Sequence, residues 1–149
     1  MKKALWIILV IVIVLQVIPS NRPETNLKNP NDLLMNNQIP TEVATMLRNA
    51  CYDCHSNESQ FPWYAYVAPV SYLVNRDIRE AREHLNFSEW EGLDATKKLK
   101  LLGKIGDEVG EGEMPLKIYP PLHPKARLSD EDRQKIVDWT ANFGDGLLK

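Results

Sequence analysis

The chain has 149 residues, of which 18 are basic and 20 acidic, and its composition is that of an ordinary globular protein. That composition excludes disordered and collagen-like classes, and the weakly acidic balance argues against a nucleic-acid partner. The length suits one domain preceded by a targeting segment.

The amino terminus has the pattern of an export signal. Lys2 and Lys3 precede Ala4–Ile18, an apolar run that only Gln16 interrupts. The end of the run lacks a small-x-small cleavage site, and no cysteine follows it for lipid attachment. We therefore predict that residues 1–20 are a signal anchor, a hydrophobic helix that holds the protein at the inner membrane through residues 4–18. A cleaved signal peptide, which releases the domain into the periplasm, is the alternative.

Residues 21–40 are rich in asparagine, proline and charged side chains, which predicts a flexible tether.

Residues 41–149 carry four helix patterns joined by proline-bearing loops, and no segment alternates with the period of a strand. The first helix buries Val43, Met46, Leu47 and Ala50; the second, from Pro69 to Leu85, buries Val70, Leu73, Val74, Ile78, Ala81 and Leu85. The third helix has Asp94 as its cap, stops at Gly110, and buries Leu99, Leu102, Ile105 and Val109. The fourth helix starts at Ser129, has Asp132 in a capping box, and buries Ile136, Val137 and Thr140. The fold class is therefore predicted to be all-α.

Both cysteines lie in Cys51-Tyr52-Asp53-Cys54-His55, which has the spacing of a c-type haem attachment site. Cysteines at i and i+3 share one side of a helical turn, so both sulfurs can reach the two vinyl groups on one edge of a porphyrin. The histidine that follows can then bind the iron from below the ring. We predict one haem c, bonded covalently to Cys51 and Cys54, with His55 as an iron ligand.

Three other interpretations of the cysteine pair are weaker. A thioredoxin-like redox pair needs a strand-to-helix junction, and no strand is predicted. A zinc site needs four Cys or His ligands, whereas His84 and His123 are single and far apart in the sequence. A structural disulfide gives no reason for His55.

The second axial ligand has five candidates: Met35, Met46, Met114, His84 and His123. Met46 is too close to the motif on the same helix, Met35 lies in the predicted tether, and His84 suits the negative end of a helix. Met114 lies in a glycine-containing loop, and Pro115 favours an extended conformation that projects its side chain. We predict Met114 as the ligand, with His123, in a proline-rich loop, as the alternative and an open site as a third arrangement. A thioether raises the reduction potential relative to two imidazoles.

The sequence also resembles the haem-binding domain family of small bacterial c-type cytochromes, from about Thr41 to Phe143. The resembling segments are the motif with Ser56-Asn57, Trp63-Tyr64, Ala68–Ser71, Arg82–Ser88, Glu113–Pro115, Tyr119, His123-Pro124, Leu128-Ser129 and Asp138-Trp139. The resemblance implies a cytochrome c-like helical fold, one haem c and a periplasmic site. It also matches Cys51, Cys54 and His55 to the family's attachment motif and Met114 to its Met-Pro position.

We expect a monohaem electron carrier rather than an enzyme, with redox partner proteins at the membrane. Two filled axial positions suit outer-sphere electron transfer and disfavour substrate chemistry at the metal. A peroxidase-type enzyme with an open distal site, or a haem-based sensor of gas or redox state, is the alternative. Nothing in the sequence indicates an oligomer.

Overall fold

In a computed structural model, residues 2–148 are described, and these residues form helices and loops without a strand. The α-helices are α1 (Lys2–Val17), α2 (Leu33–Asn36), α3 (Thr41–Ala50), α4 (Tyr52–His55), α5 (Val70–His84), α6 (Ala95–Gly110) and α7 (Asp130–Leu147). Short 3-10 helices cover Trp63–Tyr66, Phe87–Gly92 and Pro124–Ala126. The all-α prediction is confirmed for the described part of the chain.

The core forms where α6 and α7 pack together and α3 joins them. Its buried members include Leu33, Val43, Leu47, Tyr52, Phe87, Trp90, Leu102, Ile105, Val109, Ile136 and Trp139. A Cβ atom at Gly106 would lie 3.0 Å from Oγ1 of Thr140, so the glycine permits the close approach of α6 to α7. This core supports α3, and α3 leads directly into the cysteine motif.

The predicted helix ends agree with the structure wherever a cap specifies them. The Asp94 carboxylate accepts a hydrogen bond from the Lys97 amide and begins α6. Ser129 and Asp132 form a reciprocal capping box at the start of α7. Helix α3 buries Val43, Met46, Leu47 and Ala50, as its spacing predicts.

Helix α5 differs from the prediction in which face it buries. Its buried residues are Ser71, Asn75 and Ile78. Val70 and Leu73, which the apolar stripe places in the core, are 40% and 53% exposed. The physical reason is that Asn75 donates to Ser20 and Tyr72 donates to the Leu15 and Ile18 carbonyls, so the preceding chain occupies the polar side of α5. The apolar stripe is thereby left partly uncovered.

The segment predicted as a flexible tether instead packs against the domain. Leu33 is fully buried in the core, and Asp32, also buried, accepts a hydrogen bond from the Tyr52 hydroxyl at 3.0 Å. Upstream, the Arg79 guanidinium donates to the Asn21 carbonyl, and the Arg82 guanidinium donates to the Glu24 carbonyl. The burial of Leu33 and the hydrogen bonds at Asn21, Glu24 and Asp32 hold residues 21–36 against the domain. The composition of this segment did not indicate these contacts.

Helix α1 carries the predicted apolar run, and none of its residues is buried. Its end contacts the domain, because the Gln16 amide pairs with both backbone groups of Ala68. Among residues 2–148, no helix combines the length and apolar character needed to span a membrane.

Candidate functional site

The cysteine motif occupies a tight turn between α3 and α4. Cys51 ends α3, since its amide donates to the Leu47 carbonyl, and its own carbonyl accepts from the amides of Cys54 and His55 at 3.1 and 2.8 Å. The two cysteines therefore lie one helical turn apart on the same side of α4. The structure thus brings together the three residues on which the sequence prediction depends.

His55 is oriented by the carboxyl-terminal end of α5. Its ring nitrogen Nδ1 lies 3.1 Å from the carbonyl oxygens of both Ala81 and Leu85. Because carbonyls only accept hydrogen bonds, Nδ1 carries the proton, and Nε2 keeps a free lone pair. Burial lowers the pKa of the imidazole, which keeps it neutral. A neutral, oriented imidazole with Nε2 available is the form that binds iron.

The cysteine thiols are protonated at neutral pH. Burial raises the pKa of Cys51 to about 12 and that of Cys54 to about 11, and the two sulfurs are not joined in a disulfide. Catalytic redox cysteines have lowered pKa values, so this environment disfavours a thioredoxin-like reaction. Within residues 2–148, no group of three or more His, Cys, Asp or Glu side chains is arranged to hold a metal ion.

The uncovered face of α5 leads towards the motif. Val70, Leu73, Asp77 and Ala81 share one face by helical spacing. Ala81 supplies a carbonyl to His55, and the Asp77 carboxylate is close enough to raise the pKa of Cys54. Two thiols one turn apart, followed by an oriented neutral imidazole, are the donors that a covalently attached porphyrin needs. The donor set therefore fits haem.

The loop that carries Met114 is held by two anchors. Arg133 Nη1 donates to the Met114 carbonyl at 2.7 Å and to the Val109 carbonyl at 2.9 Å. Farther along the loop, the Tyr119 hydroxyl donates to the Asp53 carboxylate at 2.6 Å. Burial and this hydrogen bond raise the pKa of Tyr119. The contact joins the predicted ligand loop to the middle of the cysteine motif, 66 residues away.

His123, the alternative ligand, is engaged by two aromatic neighbours. Its ring stacks on Tyr119 with centroids 4.0 Å apart, and its Nε2 lies 2.5 Å from the Tyr64 hydroxyl. Met114 is partly buried against the core, so the structure gives the two candidates different surroundings. Sequence reasoning missed Asp53 and Tyr64, because nothing in their local spacing marks contacts that span 66 and 59 residues.

The remaining ligand candidates differ in burial. Met46 is buried in the core, whereas Met35 and His84 are exposed. Two surface grooves lie outside the cysteine motif. One, of about 500 Å³, lies between α3 and α7 near Val43 and Trp139. The other, of about 350 Å³, lies between α6 and α7 near Leu102 and Gly144. Neither groove is lined by the motif.

Comparison with known proteins points to the same chemistry. The model of a family described as "Haem-binding domain" matches residues 10–142. A curated relative, "Cytochrome c peroxidase Ccp" from Escherichia coli (strain K12), is 28% identical over 109 residues, which cover 71% of this chain. The chain spans only 23% of the length of that relative. No solved structure matches the chain.

Proposed function

This chain belongs to the haem-binding domain family, and on that premise we propose that it is a monohaem c-type cytochrome that carries single electrons. The observation that carries the proposal is the state of His55. Its Nδ1 proton is bonded to the end of α5, its Nε2 is free, and two thiols lie within one turn of it. This arrangement supplies one axial nitrogen and two attachment points for a single porphyrin edge.

Cys51 and Cys54 would hold the haem covalently. One thioether from each sulfur would attach the two vinyl positions of one porphyrin edge.

Met114 would be the second protein ligand of the iron. Its loop is fixed on one side by Arg133 and on the other by the Tyr119–Asp53 hydrogen bond, which restricts the movement of the thioether. The bound haem supplies a one-electron couple between ferric and ferrous iron. With His55 and Met114 both bound, the iron would have no position left for substrate, which suits electron transfer more than catalysis.

The proposal includes an extracytoplasmic location with attachment to the inner membrane through α1, and redox partner proteins there. Support comes from the basic start and the apolar surface of α1, which no other part of residues 2–148 covers. Because residues 21–36 pack on the domain, the carrier moves as one body with the end of α1. It does not swing on a long flexible tether.

The test is the absorption spectrum of protein produced in a host that assembles c-type cytochromes. We expect a low-spin spectrum in both oxidation states, a ferric charge-transfer band at the red end that indicates methionine ligation, and slow or absent CO binding. Haem that acid acetone extracts from the chain, or a colourless product, contradicts covalent attachment.

A peroxidase-type enzyme is the second candidate, because the similarity to a protein named as a cytochrome c peroxidase covers 71% of the chain. In that case the distal position is open, and His123, with Tyr64 and Tyr119 beside it, is the polar group closest in character to an acid–base residue. High-spin ferric haem that binds CO rapidly and reduces hydrogen peroxide with a reduced donor favours this candidate over the carrier.

A further inference from the structure

An exposed aromatic patch lies directly beside the end of α1. Trp63, Tyr66 and Val67, here called the aromatic patch, are 79%, 55% and 43% exposed. Trp63 and Tyr66 are three residues apart in a 3-10 helix, where such positions share one face. Tyr64, between them, has its hydroxyl on His123, so the patch faces away from that contact.

The end of α1 is fixed to the same part of the fold. The Gln16 side chain pairs with the amide and carbonyl of Ala68, the residue after the patch. The Tyr72 hydroxyl contacts the Leu15 and Ile18 carbonyls at 2.9 and 2.8 Å. These contacts make the apolar surface of α1 and the aromatic patch neighbours in one rigid unit.

A positive charge stands at the edge of the patch. The guanidinium carbon of Arg22 lies 3.9 Å from the centre of the Tyr66 ring and 5.2 Å from that of Phe61. Within the described part of the chain, Arg22 forms no ion pair. Tryptophan, tyrosine and arginine beside an apolar helix are the residues that favour the headgroup level of a bilayer.

The length of α1 gives a reason for a second lipid contact. Sixteen residues extend about 24 Å as a helix, against about 30 Å for the hydrocarbon core of a typical bilayer. A helix this short attaches more stably if the domain at its end also enters the interface.

We infer that the aromatic patch docks on the phospholipid surface next to α1, so that the domain is held on the bilayer in one orientation. The occupant is lipid: the indole and phenol rings enter the headgroup region, and Arg22 pairs with lipid phosphates. The inference rests on the proposed membrane attachment of α1 and is independent of how haem is bound.

The experiment is hydroxyl-radical footprinting by mass spectrometry of the full chain with vesicles of phosphatidylethanolamine and phosphatidylglycerol. The comparison protein is the full-length variant Ile8→Asp/Ile11→Asp/Val14→Asp, which is kept off the vesicles. These three side chains are exposed, so the variant leaves the domain intact. Met35 serves as the internal control. It lies on α2, which packs against the 3-10 helix Phe87–Gly92 beyond the carboxyl-terminal end of α5, whereas the aromatic patch precedes the amino-terminal end of α5.

We expect vesicles to slow the oxidation of Trp63 and Tyr66 several-fold in the natural chain and not in the variant, with Met35 unchanged in both. A natural chain that floats with vesicles but oxidises at Trp63 as fast as the variant overturns the docking while membrane attachment stands. A chain that does not float overturns both. Protection that appears in native membranes and not in pure lipid assigns the patch to a protein partner and overturns the lipid assignment. A haem assay on the same samples reports separately on the proposed cofactor.

Discussion

The Nδ1 atom of His55 lies 3.1 Å from the carbonyl oxygen of Leu85, the residue that caps α5. The carbonyl of Ala81, one turn earlier, lies at the same distance. The last turn of α5, in which the Ala81 carbonyl also accepts a hydrogen bond from the Leu85 amide, thus sets the tautomer and direction of the imidazole. The motif provides the histidine, and α5 decides which of its nitrogens is free.

Replacing this imidazole should remove the axial nitrogen without breaking the thioethers. We expect His55→Gln to convert the low-spin spectrum to a high-spin one while haem stays covalently bound. His84→Gln is the matched control, because His84 is exposed at the end of the same helix and should leave the spectrum unchanged. Equal spectra for the two variants would remove His55 from the ligand set.

The cysteines should contribute one bond each. Cys51→Ala and Cys54→Ala should each leave a single thioether, seen as a shifted α-band in the pyridine haemochrome, and the double variant should release haem to acid acetone. Mass spectrometry of the intact chain measures the retained haem. Full retention in the double variant contradicts the proposed attachment.

The distal ligand can be tested by a pair of variants in neighbouring loops. Met114→Ala should abolish the ferric charge-transfer band and allow CO to bind, because it removes the proposed thioether ligand. His123→Ala should keep the band, since its Nε2 is engaged by Tyr64. The reverse pattern would make His123 the ligand.

Residues 21–36 should contribute to stability, which a flexible tether does not. Leu33→Ala removes a fully buried side chain and should lower the free energy of unfolding by about 2–5 kcal/mol. Leu27→Ala, in the same segment but exposed, should change it by less than about 0.5 kcal/mol. Denaturant titration of both variants measures the difference in free energy of unfolding. If both variants changed it by an equal, small amount, the segment would be a flexible tether.

The capping box of α7 should show a pH-dependent contribution. Ser129→Ala should lower the free energy of unfolding by about 1 kcal/mol at neutral pH. Hydrogen bonds from Ser129 hold the pKa of Asp132 below its usual 3.8, so the stabilisation by this carboxylate is complete above that pH. It is lost as the pH falls through the lowered folded-state value. The difference in free energy of unfolding between Ser129→Ala and the natural chain should therefore be smaller in acid. Denaturant titrations at pH 7 and near pH 3 measure it. Thr96→Ala, at an exposed position in α6, is the control.

The sequence by itself determined the features that depend on neighbours a few residues apart. The turn of Cys51–His55, the buried face of α3, the Asp94 cap and the Ser129–Asp132 box all follow from spacings of three or four residues, at which side chains share a helix face or reach a free amide. Local chemistry leaves these features few alternatives, so the order of the amino acids is enough to predict them.

Only the tertiary structure decided the features that join distant parts of the chain. Tyr119 meets Asp53 across 66 residues, and Leu33 fills a core made by later helices. Helix α5 exposes Val70 and Leu73 because the chain before it covers the polar side around Asn75. Such contacts depend on how the whole chain folds. The periodicity of one helix does not specify which neighbouring segment will pack against each of its faces.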